Sequence, residues 1–136
     1  HSPNFWGRSI GWWFMALVDA LDYIPEEHPG RSDMISWIQG LADTLPKYQD
    51  KAGLWYQVID QPKREGNFPE ASVTSQCMYA YAKAVNKGYI DAKYKACILY
   101  TSDAADDLLW GHNRWTGRKY RQKQNLPHAG GGWEAP

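Results

Sequence analysis

Apolar residues recur at three-and-four spacing in three stretches of the chain, and each stretch predicts an amphipathic helix. The first stretch is Ile10, Trp13, Phe14, Leu17, Val18 and Leu21, with Ser9 placed to cap it. It should end near Tyr23 and Ile24, because Pro25 disfavours helical geometry in the residue before it and Glu26, Glu27, His28, Pro29 and Gly30 read as a loop. The second carries Met34, Ile35, Ile38, Leu41, Ala42 and Leu45, with Ser32 as its candidate cap, Trp37 at its flank and Pro46 to kink or end it. Between Gln49 and Glu70 the runs GLWYQVID and PKREGNFP hold Pro and Gly at positions that predict a short extended segment and a long loop. The third helix should run from about Ser72 to Lys87, with Val73, Cys77, Ala80, Tyr81 and Ala84 on one face and Gly88 stopping it. Asp91 then starts a fourth.

Helices joined by alternating short and long connections, with no credible strand pair, predict an all-α fold of antiparallel hairpins packed side by side. Two such hairpins want further companions to cover their apolar faces. After about Cys97 the helical period is lost, and from Gly111 onward five basic residues accompany one acidic residue. By composition alone that stretch reads as a disordered basic tail.

Charge and composition narrow the function. The 136 residues hold 15 Lys and Arg against 15 Asp and Glu, which argues against a nucleic-acid or anionic-membrane partner. No apolar run approaches the ~18 residues needed to span a bilayer. The start, HSPNFWGRS, has neither an initiator Met nor a signal-peptide layout, so the chain is expected to begin within a longer protein, and its compartment is not legible. Cys77 and Cys97 are too few for a disulfide framework or a zinc cluster. Asp103, Asp106 and Asp107 lack the glycine turn and distal Glu of a calcium loop, and His1, His28, His112 and His128 are scattered, so no metal or cofactor is predicted. Eight Trp and nine Tyr beside three Phe favour rings with an apolar face and a polar edge, which suits sugar binding or an aromatic-rich core.

The densest constellation is FWGRSIGWW, where Trp6, Arg8 and Trp12 surround the start of the first helix and Gly7 and Gly11 relieve crowding. A Trp face packs on the C–H surface of a sugar ring and an Arg fork pairs with a carboxylate, so this trio suits an acidic sugar. The same residues also fit plain core packing or a cation–π clamp. Glu70 and Ser72 open the third helix after a loop that carries Trp55 and Tyr56, and all four meet Trp6 if the helix starts share one rim. Equally, Glu70 suits a helix first turn and Ser72 a cap. Asp19, Asp22, Asp50 and Asp60 have no partner at a spacing that implies paired acid and base work.

At FWGRSIGWWFMALVDALDYIPEEHPGR the sequence resembles glycoside hydrolase family 105, the unsaturated rhamnogalacturonyl hydrolases, and less closely their family 88 relatives acting on unsaturated glucuronyl sugars. The resemblance continues through KYQDKAGLWYQVID, REGNFPEAS and YAYAKAVNKGYID, over roughly residues 2 to 96. It implies that residues 1–96 are a piece of an (α/α)6 barrel and that the substrate is an unsaturated uronic-acid oligosaccharide derived from pectin. It also implies a bacterial cytoplasmic or periplasmic setting, and leaves the oligomeric state open. The family's pocket-lining Trp, Arg and Trp carry over to Trp6, Arg8 and Trp12, and its Glu-x-Ser segment to Glu70 and Ser72. In that family an Asp protonates the 4,5 double bond and helps water add at C5, after which the hemiketal opens and the glycosidic bond breaks. The family's Asp lies upstream of the Trp-Arg-Trp signature, so no catalytic residue is expected in this chain and the chain alone should be inactive. Ser9, Ile10 and Pro46 depart from the family pattern. LYTSDAADD resembles a translated sequencing adaptor, so residues 97–136 are expected to be irregular and non-native. Outside this family, a carbohydrate-binding module using its Trp set as a platform, or a helical interaction protein, fits the same composition.

Overall fold

The structure is a computed structural model and describes residues 3–95. Three helices follow in order, α1 (Gly7–Ala20), α2 (Arg31–Thr44) and α3 (Ala71–Asn86), with 3-10 turns at Leu45–Tyr48 and Ala92–Tyr94. Among the described residues there are no strands, only isolated antiparallel bridges between Trp6 and Val58 and between Tyr56 and Pro69. The all-α expectation therefore holds. No helix among the described residues is long and apolar enough to cross a membrane.

α1 and α3 lie side by side in the same direction: Arg8 meets Glu70 at one end, and Asp22 meets Lys83 and Lys87 at the other. α2 runs in the opposite sense against this pair, with Arg31 near Tyr89 beyond the end of α3 and Leu45 against Trp55 before its start. The core forms where the three apolar stripes converge, from Phe14, Leu17 and Val18 of α1, Ile38 and Ala42 of α2, and Val73, Cys77, Ala80, Tyr81 and Ala84 of α3. Trp55 enters this core from the extended segment. Its ring stacks on Tyr81 at 6.4 Å and its indole N–H donates to the Leu45 carbonyl at 2.8 Å. Burying an indole without that partner would cost about 1–3 kcal/mol, so the 3-10 turn that presents Leu45 is part of the core's polar accounting.

Small residues let α1 approach α3. A Cβ built at Gly7 would lie 2.8 Å from the Tyr56 carbonyl oxygen, and one at Gly11 would lie 2.9 Å from the Cβ of Gln76. The four-residue spacing puts both glycines on one face of α1, which is the face turned to α3 and the extended segment.

Several local expectations are corrected. α1 begins at Gly7, so Ser9 sits inside the first turn and caps nothing. The helix start is organised instead by the extended segment, whose Gln57 carbonyl accepts from the Gly7 N–H at 2.8 Å. α1 ends at Ala20, and residues through Ile24 continue as turns, because Arg31 donates to the Leu21 and Ile24 carbonyls at 2.8 and 2.6 Å. A cation there satisfies orphan carbonyls and complements the negative helix end. α2 starts at Arg31 after Gly30, so Ser32 is not its cap. Trp13, expected on the core stripe, is 52% exposed and leans on Trp37 at 6.2 Å. Pro46 does end α2, as the second residue of the 3-10 turn, and Gly88 closes α3 with φ at +73°. The fourth helix is described only as its opening 3-10 turn, and the expectations for residues 97–136 lie outside the described residues.

Candidate functional site

The site grows from the way two helix starts are held together. The extended segment lies between the entry to α1 and the entry to α3: Ile59 N–H donates to Phe5 O at 2.9 Å, Gln57 N–H to Phe68 O at 2.9 Å, and Glu70 N–H to Trp55 O at 2.8 Å. These bonds align the first turns of α1 and α3 on one rim. Both helices present the positive end of their dipoles there, a field that favours an anion.

Four of the five predicted side chains meet on that rim. Arg8 Nη1 donates to Glu70 Oε1 in an ion pair, and the Ser72 hydroxyl donates to the same oxygen at 2.7 Å. The Arg8 guanidinium lies over the Trp6 ring, 4.4 Å from its centroid. Trp12 stands one turn below Arg8 on α1, on the same helix face by the four-residue spacing, and is 61% exposed. Trp6 is 44% exposed, so neither indole is a core residue. Trp55 does not join them, since it is fully buried against Tyr81; the rim receives its backbone carbonyl only.

Glu70 occupies the cap position of α3 without capping it. Its φ of −119° and ψ of 121° turn the chain into the helix, and its side chain crosses to Arg8 instead. That side chain is 11% exposed. Its Oε2 is buried with no partner among the described residues. Glu70 therefore anchors Arg8, and Ser72 anchors Glu70. A guanidinium carries five N–H donors, and the bond to Glu70 leaves most of them for a ligand. The arrangement can hold a planar carboxylate beside Trp6 and offer the Trp12 face to a ring.

Of the other carboxylates, Asp50, Asp19 and Asp22 have structural partners. Asp50 accepts from the N–H groups of Ala52 and Leu54 at 2.8 and 2.9 Å, which shapes the turn before the extended segment. Asp60 Oδ1 is buried without a partner among the described residues. At the far end of the helix pair, Lys83 bridges Asp19 and Asp22 at 2.7 and 2.6 Å, and Lys87 reaches Asp22 at 2.8 Å. Hydrogen bonds from Lys83 and then Lys87 lower the Asp22 carboxyl to about 2, and the Lys83 bond also lowers Asp19. The same bonds raise Lys83 well above the ordinary lysine range. Two carboxylates near the negative end of α1 are thus neutralised by α3 rather than poised for proton transfer.

Sequence reasoning missed Arg31 as the α1 terminator and the Lys83 bridge. The spacing of Lys83 and Lys87, four residues apart on α3, was the available signal for the bridge, but it names a partner only once α1 is known to run alongside.

Residues 1–104 match the profile of Glycosyl Hydrolase Family 88. The 24.9 kDa protein in picA locus of Rhizobium radiobacter is 35% identical over 89 residues, covering 65% of this chain and 38% of that protein. Unsaturated 3S-rhamnoglycuronyl hydrolase of Alteromonas sp. strain LOR is 32% identical over 88 residues, covering 65% of this chain and 21% of that protein. The solved structure of a family 105 glycoside hydrolase from C. acetobutylicum ATCC 824 superposes with a TM-score of 0.72 at 38% identity, covering 76% of this chain and 29% of that one. The chain thus spans well under two thirds of the length of each of these relatives. The helices described above are part of the α/α toroid that such structures share. With three quarters of its length aligned to the family's profile and its fold matched to a family 105 hydrolase, the chain belongs to glycosyl hydrolase family 88 and its family 105 relatives.

Proposed function

We propose that this chain forms one wall of the pocket of an unsaturated uronyl hydrolase, an enzyme releasing 4,5-unsaturated galacturonate from pectin-derived oligosaccharides. The observation that carries the reading is Arg8, laid on Trp6 and fixed by Glu70, which is itself fixed by Ser72. A guanidinium oriented this way pairs with the planar carboxylate of a uronate, and the two helix starts beside it add to the attraction. Trp12 offers its face to the sugar ring. Trp6, Arg8, Trp12, Glu70 and Ser72 are the substrate-binding residues of this reading, and Arg8 and Trp12 are the two that touch the uronate.

In the reaction, a proton is delivered to C4 of the double bond and water adds at C5. The resulting hemiketal opens and the glycosidic bond breaks. Glu70 is not the proton carrier in this scheme, because its Oε1 already receives Arg8 and Ser72. The acid is supplied from outside the described residues, and Arg8 holds the carboxylate conjugated with the reacting double bond. The name of the Alteromonas relative supports this reaction type. The match to the family 88 profile favours a second reading, in which the unsaturated uronate is released from a glucuronate-derived glycosaminoglycan disaccharide rather than a pectin one.

Calorimetric titration of the chain with 4,5-unsaturated galacturonate, beside a neutral methyl glycoside, tests the reading. Binding of the uronate alone is expected, lost in Arg8→Ala and weakened in Arg8→Lys, which keeps the charge but not the fork. Equal binding of the neutral sugar, or uronate binding indifferent to Arg8→Ala, would refute it.

A further inference from the structure

Between α1 and the end of α2 lies a groove of about 500 Å³ that the uronate reading does not use. Ile10 and Trp13 of α1 form one wall, Leu41 of α2 and Tyr48 of the 3-10 turn the other, and Phe5 and Asp60 complete it. By helical spacing Ile10 and Trp13 stand on a different face of α1 from Gly7 and Gly11, so α3 does not cover them. Phe5, Trp13, Trp37 and Tyr48 are each between 41% and 61% exposed. Because Trp13 leans on Trp37, the aromatic surface continues from the groove along α2. A contiguous apolar surface of this kind marks a contact with another element rather than with water.

One polar group breaks the apolar lining. Asp60 borders the groove, its Oδ1 is buried, and no donor reaches that oxygen among the described residues. A carboxylate oxygen withdrawn from water without a donor is costly, so the surface that fits this groove carries a cation. A second copy of this chain does not meet that requirement. In an isologous contact it would bring the same groove, whose lining holds no Lys or Arg. The remainder of the toroid can meet it: three quarters of this chain superposes on the C. acetobutylicum hydrolase yet covers 29% of that structure, so most of the toroid's helices lie outside this chain.

We propose that the groove is covered by a helix from the part of the toroid outside this chain, with its apolar face on Trp13 and Leu41 and a Lys or Arg side chain paired with Asp60. Asp60 is then a polar lock that fixes the register of an otherwise non-directional apolar seam. The proposal rests on the family assignment and is independent of the uronate reading.

The test is a graft in which residues 3–95 replace the matched segment of the C. acetobutylicum hydrolase. Thr44→Cys, in the groove, and Glu26→Cys, in the loop after α1, are labelled with a maleimide and read site by site by mass spectrometry. Both positions are exposed in this structure, so the chain on its own should label the two at similar rates. In the graft Thr44→Cys should label roughly tenfold more slowly than Glu26→Cys. Asp60→Ala should raise the melting temperature of the chain alone or leave it unchanged, because it removes an unpaired buried oxygen. In the graft it should lower the melting temperature by a few degrees, because it strands a buried cation, and Asp60→Asn should lower it less. Equal labelling of the two thiols in the graft would overturn the covered face. A graft whose melting temperature is indifferent to Asp60→Ala would overturn the ion pair. Protection of Thr44→Cys in the chain alone that disappears on dilution would assign the face to a second copy and overturn the proposal.

Discussion

Substituting Gly11 by Ala places a methyl group in the seam between α1 and α3. The new Cβ would lie 2.9 Å from Gln76 Cβ and 2.3 Å from Gln76 Oε1. The amide end can swing away, but the Cβ moves only if a helix moves, and such overpacking costs about 1–3 kcal/mol. Against this, Ala in a helix interior is favoured over Gly by about 1 kcal/mol. The net expectation is a destabilisation of about 1 kcal/mol. Gln76→Gly removes the opposing Cβ, so in that background Gly11→Ala should stabilise by up to about 1 kcal/mol, its intrinsic helix gain. Urea denaturation of the chain, the two single variants and the double variant would measure the coupling, expected at about 2 kcal/mol in favour of the double variant. Additive effects within about 0.5 kcal/mol would refute the claim that steric contact at this seam sets the approach of α1 to α3. The consequence reaches the rim, because that approach brings Arg8 to Glu70.

Gly7→Ala should lower stability by about 1–3 kcal/mol in thermal denaturation, because its methyl would sit 2.8 Å from the Tyr56 carbonyl, which is backbone. Trp55→Phe should cost about 2 kcal/mol in urea denaturation, since it leaves the Leu45 carbonyl without its indole donor in the core. Asp22 is held at about 2 against an ordinary 3.8, so its contribution to stability is complete above pH ~4 and is lost as pH falls toward 2. Lys83 is raised above its ordinary 10.5, so its contribution persists below that pH and is lost only in stronger alkali. Melting temperature should accordingly fall below pH ~4 in the wild type and less steeply in Asp22→Asn.

The helices were legible because their apolar stripes face one core: Val73, Cys77, Ala80, Tyr81 and Ala84 are all buried, as their spacing on α3 predicted. Trp13 broke the same rule because a stripe gives a face, not the extent of the neighbour that covers it. Helix starts were misplaced where tertiary bonds did the work of caps. Gln57 receives the Gly7 N–H and Arg31 closes α1, and neither partner is near in sequence. The candidate site was half legible. Residue types in FWGRSIGWW suited an acidic sugar, core packing or a cation–π clamp alike, and Glu70 reaches Arg8 across 62 positions, a pairing that local pattern does not encode. Glu70 and Ser72 stood out at the start of the third helix and again in the resemblance to the family; the structure joined them to Arg8.

The central claim is that this segment supplies the uronate-binding wall of a hydrolase. Its most direct measurement is turnover by a graft, in which residues 3–95 replace the matched segment of the Alteromonas unsaturated 3S-rhamnoglycuronyl hydrolase. Hydration of the double bond removes its ultraviolet absorbance and can be followed continuously on that enzyme's own substrate. We predict that the graft turns over and that Arg8→Ala lowers its kcat/KM by about a hundredfold, the loss of a charge-assisted pair of about 3 kcal/mol. A folded graft without turnover, or one whose kcat/KM is unchanged by Arg8→Ala, would contradict the account.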